Sequence, residues 1–167
     1  MTGPDRLAQL EDRLRRLEDR AAVYDVIAAY GPLVDAGDAS GTAGLWTEDG
    51  SYDVDTGRYD GHDGIAAMVG SRGHQGLLAR GCAHLTGLPR ITVDGDTAVA
   101  IAHSQLVLRR EDGRGYDVLR ATAHRWELVR TSSGWRVSRR TSRLLDGRPE
   151  ARELLRLPVA PPEEAFP

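Results

Sequence analysis

The stretch that decides the reading of this chain is Ala29-Tyr-Gly-Pro-Leu-Val-Asp-Ala-Gly-Asp38, at the end of a long helical pattern. It places a tyrosine and two carboxylates where a helix should be closing, and residues 35–38, with Gly37 among them, read as a helix end and turn. An acid there is usually a helix-end charge, and Asp38 is assigned to the turn on that ground. Asp35 differs, because the second half of the chain supplies it with a partner, the histidine of Gly81-Cys-Ala-His84-Leu-Thr86. Pro32 lacks a backbone donor and tends to kink a helix. Tyr30 and Asp35 lie about 140° apart around a straight helix at about 100° per residue. They are expected to converge only if Pro32 bends the axis or Asp35 lies beyond the last turn.

Upstream, Leu7, Leu10, Leu14, Leu17, Ala21 and Tyr24 alternate in steps of three and four, flanked by Arg and by Glu or Asp. That is a short a/d seam, expected to pack along another helix or another subunit, and it predicts a homo-oligomer, a dimer or trimer. From Tyr24 onward the stripe broadens through Val26, Ile27, Tyr30 and Val34, as where a helix enters a core.

Downstream, residues 39–46 predict a short helix, 47–50 a turn, 51–54 a strand returned by 58–59, and 61–69 a helix capped by Asp60. Polar, Gly-rich 71–76 predicts a mobile loop. His84 opens a strand-like stretch that runs to Val93, and Asp94-Gly95-Asp96 is a hairpin turn. Residues 97–109, 116–130 and 135–144 then form long strands joined by tight turns, an antiparallel meander. Helices first and a meander after make the class α+β. Along 97–109, Val99, Ile101, His103, Gln105 and Val107 share one face, and Ala98, Ala100, Ala102, Ser104 and Leu106 the other.

Composition excludes several classes. The 167 residues carry a net charge of −3 with both signs interspersed, enough chain for one domain with a real core and without the basic block that tracks nucleic acid. Cys82 is the only cysteine, which excludes an internal disulfide and a cysteine-based zinc site and fits a reducing compartment. There is no apolar run of about 18 residues and no signal-peptide core at the N-terminus, so a cytoplasmic protein without a membrane partner is expected. No spacing of His, Asp and Glu suggests a metal, no Gly-rich strand–helix turn a nucleotide, and no Gly-x-Ser-x-Gly a serine hydrolase. The expectation is therefore no metal and no cofactor.

Long helix, short helix, small strand pair, third helix and curved meander is the layout of the nuclear-transport-factor-2-like fold, a cone-shaped α+β barrel. Local sequence resembles its SnoaL-like branch at Ile27-Ala-Ala-Tyr30, Val34-Asp35-Ala-Gly-Asp38, Leu45-Trp46-Thr47-Glu48-Asp49-Gly50, Ala83-His84-Leu-Thr86 and Gly134-Trp135-Arg-Val-Ser-Arg-Arg140. The resemblance makes residues 1–146 the cone domain with its heptad helix, and leaves 147–167 as a short helix and Pro-rich arm. Within the branch the chain is similar to scytalone dehydratase, bile acid dehydratase and a dehydrochlorinase of chlorinated cyclohexanes. The resemblance implies an Asp–His pair, Asp35 and His84, that takes a proton from a ring carbon. It implies a functional tyrosine at Tyr30, as in the dehydratases, and a functional arginine at Arg140, as in the dehydrochlorinase. The dehydratases' polar residue on the middle strand falls nearest His103 or Gln105.

The chemistry suits these residue types. Neutral imidazole abstracts a proton well near pH 7, because its ordinary pKa is about 6.5, and a carboxylate on its other nitrogen fixes the tautomer. A developing oxyanion needs a donor, for which Tyr30 and Arg140 are candidates. His103 and His124 are candidate pocket residues, Trp46 and Tyr52 candidate walls, and His62 and His74, on polar stretches, are given no role. The expected function is a lyase or isomerase of the dehydratase type acting on a small hydrophobic ring compound such as a steroid or polyketide intermediate. The alternatives are a polyketide cyclase closing a ring by aldol chemistry and a non-catalytic ligand binder.

Overall fold

The computed structural model describes residues 3–156. Helix α1 (Gly3–Asp35) runs unbroken through Pro32, and the amide of Ala36 still reaches the carbonyl of Pro32 at 2.9 Å. Asp35 is thus the last helical residue and does not lie beyond the last turn. The first half of α1 is exposed on its leucine stripe, while Val23, Ile27, Tyr30 and Val34 are buried. Asp38 accepts a hydrogen bond from the amide of Gly41 at 2.8 Å and so caps α2 (Ala39–Ala43), the ordinary work of an acid at a helix start.

The expected turn at 47–50 is instead part of strand β1 (Trp46–Val54). β1 runs parallel to the last strand β7 (Gly134–Leu144), and between Trp46↔Val137 and Ser51↔Arg139 it carries extra residues as a bulge. Gly50 makes that bulge possible, because a Cβ there would lie 2.8 Å from Trp46 Cδ1 and 2.9 Å from the Val137 carbonyl. Strand β2 (Gly57–Asp60) returns along β1, and α3 (Gly61–Gly70) follows. Asp60 stands at the N-cap of α3 without capping it; its carboxylate accepts from Arg58 Nε at 2.8 Å.

The Gly-rich stretch expected to be a mobile loop belongs to helix α4 (Arg72–Arg80). Ser71 Oγ accepts from the amide of His74 at 3.2 Å, and burial of His74 supplies the tertiary contact that overrides the glycines' poor helix propensity.

Strands β3 (Cys82–Thr86) and β4 (Arg90–Asp94) pair in turn with the two halves of β5 (Thr97–Arg109), and β6 (Tyr116–Thr131) joins β5 to β7. The seven-stranded mixed, mostly antiparallel sheet runs β2-β1-β7-β6-β5-β3, with β4 also on β5. It curls around α1 and α3, so the fold is α+β and of the nuclear-transport-factor-2-like type. Helix α5 (Pro149–Leu154) closes the described chain, with Ala151 buried. The Pro-rich arm expected at 158–167 lies outside the described residues. No helix among those described is long and apolar enough to cross a membrane.

The alternation on β5 is as expected, but its inner face is the other one. Ala98, Ala100, Ala102 and Leu106 are buried, and His103 and Gln105 are exposed. Period-two spacing assigns two faces without saying which is inside. The alanine face is the inner one, because Ala98 and Ala100 join the core of Val23, Ile27 and Trp126.

Candidate active site

The site is built where α1 ends against β3. Gly31 lets the two backbones touch, since a Cβ there would stand 2.5 Å from the His84 carbonyl oxygen. One turn later Asp35 accepts twice from the same residue. Its Oδ2 takes the backbone N–H of His84 at 2.7 Å, and its Oδ1 takes ring Nδ1–H at 2.6 Å. A carboxylate only accepts, so neutral His84 is held as the Nδ1–H tautomer with the Nε2 lone pair free. His84 lines a cavity of about 140 Å³ together with Tyr30, Tyr52, Tyr59, Met68 and residues of the curled sheet. Burial pulls the pKa of His84 below the ordinary histidine value, outweighing the opposite pull of Asp35. The ring is therefore neutral at pH 7, as a base must be.

Tyr30 meets the same ring edge-on, with centroids 6.2 Å apart. Tyr30 and Asp35 thus converge on His84 because β3 crosses the end of the helix, and they need not share a helical face. Burial raises the pKa of Tyr30, so its phenol keeps its proton and can donate.

Opposite the dyad, Arg140 is buried, at 2% exposure, and its guanidinium lies 3.9 Å from the Tyr30 ring centre, 4.0 Å from that of Trp126 and 4.4 Å from that of Tyr52. Its Nε and Nη2 donate to His124 Nδ1 at 3.3 and 3.2 Å, and its Nη1 has no partner. Each ring face is worth about 0.5–2 kcal/mol to a cation. Burying an ion costs several kcal/mol, so the aromatic cage offsets only part of the penalty. Because arginine cannot accept, His124 Nδ1 must be the unprotonated nitrogen, and Nε2–H then donates to Ser104 Oγ at 2.5 Å. Ser142 Oγ donates to the same Nδ1 at 2.7 Å. Burial first, then Arg140, holds the pKa of His124 well below the ordinary value, so this histidine stays neutral.

Of the residues expected from sequence, Asp35, His84, Tyr30, Trp46, Tyr52, His124 and Arg140 come together at or behind this cavity. His103 does not, being exposed on the outer face of β5. Four further residues stand at or beside the cavity, and the sequence assigned none of them a role. His74 is buried beside His84, ring centres 5.7 Å apart, and its Nε2–H donates to the Val34 carbonyl at 2.9 Å. Ser104 and Ser142 line the cavity floor; Ser142 stands opposite His124 on β7, and Ser104 stands opposite Thr122, diagonal to His124 across β5 and β6. Arg120 also lines it but is already paired with Asp55 at 2.8 Å. His62, given no role, donates through Nε2 to the Trp46 carbonyl at 3.0 Å and holds the start of β1.

Asp35, Cys82 and His84 also cluster closely enough to suggest metal ligands. Ligands at about 2.0–2.3 Å around a tetrahedral ion stand roughly 3.3 Å apart, whereas Asp35 Oδ1 and His84 Nδ1 are 2.6 Å apart and share a proton. The trio fits a hydrogen-bonded dyad with a thiol beside it. A wider hollow between β1 and α5 is lined by Asp53, Asp55, Arg143 and Arg148, and these four are engaged, Arg143 with Asp53 at 2.7 Å, Asp55 with Arg120 at 2.8 Å and Arg148 with Asp146 at 2.6 Å.

The fold has known relatives. A comparison with curated proteins found no match. Among solved structures the chain is similar to a nuclear-transport-factor-2-like protein with a cystatin-like fold from Novosphingobium aromaticivorans, at 44% identity and TM-score 0.88 over 90% of this chain and 97% of that one. A protein of unknown function from Mycobacterium tuberculosis matches at 24% identity and TM-score 0.70, over 78% of this chain and 73% of that one. A LinA-type hexachlorocyclohexane dehydrochlorinase from Novosphingobium barchaimii matches at 23% identity and TM-score 0.66, over 80% of this chain and 90% of that one, a likeness of fold. Residues 15–141 match the family described as SnoaL-like domain. With most of the chain inside that match, the protein belongs to the SnoaL-like family of the nuclear-transport-factor-2-like superfamily.

Proposed function

We propose that the protein is a cofactor-independent lyase or isomerase that removes a proton from a ring carbon next to a carbonyl. The observation that carries this reading is the 2.6 Å bond between Asp35 and His84 Nδ1, which leaves Nε2 of a neutral, cavity-lining imidazole as the base. His84 Nε2 takes the carbon-bound proton, and the C–H electron pair moves into the carbonyl to give an enolate. Asp35 stabilises the imidazolium that forms. Tyr30, with Arg140 beside it, donates to the enolate oxygen. In a dehydration the enolate then expels a β-hydroxyl, which takes the proton back from His84 and leaves as water. In an isomerisation the same proton returns to another carbon.

The test is solvent deuterium incorporation and loss of water, followed by NMR, on a panel of cyclic β-hydroxyketones. His84→Ala should slow the active compound by roughly 10²–10⁴. Unchanged turnover in that variant would end the reading.

A further inference from the structure

The proposed chemistry asks for a hydrogen-bond donor beside a developing oxyanion. It does not ask for a permanent positive charge, yet the cavity floor holds one. Arg140 is buried, and among the described residues no carboxylate pairs with its guanidinium. Its Nη1 is one of the few buried polar atoms without a partner, and the indole N–H of Trp126, whose ring lies against the guanidinium, is another.

The tautomer of His124 extends this. Because Arg140 donates to His124 Nδ1, His124 Nε2–H donates to Ser104 Oγ, and the Ser104 hydroxyl proton is left free for a further acceptor. Arg140 and Ser104 both line the cavity. The floor thus offers hydrogen-bond donors and a charge. Arg120, the other cation on the wall, is engaged with Asp55. A neutral carbonyl would satisfy the donors and leave the charge unmatched; an anionic oxygen satisfies both. The cavity of about 140 Å³ is close to the roughly 150 Å³ in which an engineered protein cavity holds benzene, so it has room for one ring.

We propose that the cavity binds a single-ring compound bearing a carboxylate, with the carboxylate seated against the Arg140 guanidinium and Ser104 Oγ. The proposal rests on this cavity being the substrate site, and it narrows the substrate class to small ring acids, away from four-ring steroids.

Calorimetric titration with benzoate, and with benzamide as its neutral counterpart, tests it. The wild-type protein should bind benzoate about tenfold or more tightly than benzamide. Arg140→Lys should keep a preference for the anion, and Arg140→Gln should lose it. Ser104→Ala, which leaves the guanidinium and its aromatic cage in place, should weaken benzoate severalfold and benzamide less, because a hydroxyl bonds an anionic oxygen more strongly than a neutral one, so the proposal stays testable if Arg140→Gln does not fold. Equal binding of the two probes by the wild type, binding of neither, or an undiminished preference in Ser104→Ala overturns it. His84→Ala should retain the preference. Retained preference together with unchanged turnover in that variant would remove the base role and leave the acid site standing. Lost selectivity in the wild type with a crippled His84→Ala would do the reverse.

Discussion

Asp35 holds His84 by two atoms at once, the backbone amide at 2.7 Å and ring Nδ1 at 2.6 Å. The first bond sets the position of the strand residue and the second sets its tautomer, so one carboxylate controls both where the base stands and which nitrogen is free.

That double acceptance makes Asp35→Asn informative. An asparagine offers one acceptor and an NH2 group, so either the backbone amide or Nδ1–H loses its partner. Turnover should fall by roughly 10²–10⁴, the scale of a lost, correctly held base. Stability should fall by about 1–3 kcal/mol for the orphaned donor. Single-turnover rates, histidine nitrogen NMR and denaturant titration would read the three effects. A normal rate with Nδ1 still protonated would refute the orienting role.

The pH dependence follows from burial of His84. Its folded pKa lies below the ordinary 6.5, so the base is already neutral at physiological pH. The rate kcat/KM should rise with pH along an acid limb whose midpoint lies below about 6.5 and be flat through neutrality. A midpoint above that value would mean that Asp35 dominates over desolvation. The same direction of shift at His84 and, more strongly, at His124 means the folded state binds protons more weakly than the unfolded chain. Both groups contribute stability fully present above about pH 6.5 and lost as pH falls from there toward their folded values.

How much of this was legible in the sequence depends on what kind of signal each part left. Asp35, His84 and Tyr30 carried a motif, and the meander carried its period, so the dyad and the sheet could be read. The inner face of β5 could not, because alternation is symmetric between faces; His103 was placed inside and Ser104 overlooked for the same reason. Helix α4 was missed because its glycines argue locally for a loop, while the contacts that hold it, His74 against His84 and the Val34 carbonyl, join residues far apart in the chain. The bulge at 47–50 looked like a turn because extra residues and a glycine are common to both. The leucine seam was legible as a pattern because its spacing is local to one helix.

Leu7, Leu10, Leu14 and Leu17 are each more than half exposed at a/d spacing along α1. A second copy of the same helix would cover them, which is the expected homo-oligomer. The triple variant Leu10→Glu, Leu14→Glu, Leu17→Glu should sediment as a monomer at concentrations where the wild type does not. An unchanged mass would remove the seam from the assembly.

Asp19 anchors that helix to the sheet. It accepts from Arg130 Nη2 at 2.8 Å and from Trp135 Nε1 at 3.3 Å. The hydrogen bond from Arg130 is the main reason its carboxyl titrates below the usual range. Its contribution is therefore present above about pH 4 and lost as pH falls through the lower folded value. Asp19→Ala should cost about 1–3 kcal/mol in denaturant unfolding at pH 7, and the gap from wild type should shrink in strong acid. A constant gap across that range would show that the charge is not the stabilising element.

Gly31 gives the sharpest link between packing and chemistry. Any Cβ there would stand 2.5 Å from the His84 carbonyl, a backbone atom that cannot swing aside as a side chain would. Gly31→Ala must push β3 away from α1 and lengthen both bonds from His84 to Asp35. Alanine favours the helix by about 1 kcal/mol over glycine, but overpacking of this kind costs about 1–3 kcal/mol, so a net loss of stability is expected. Turnover should fall further than stability does, because a displacement of about 1 Å in a base can cost on the order of 10²-fold. Measured together, unfolding free energy and kcat separate the two. A stabilised Gly31→Ala with full activity would mean that the contact between α1 and β3 does not set the position of His84.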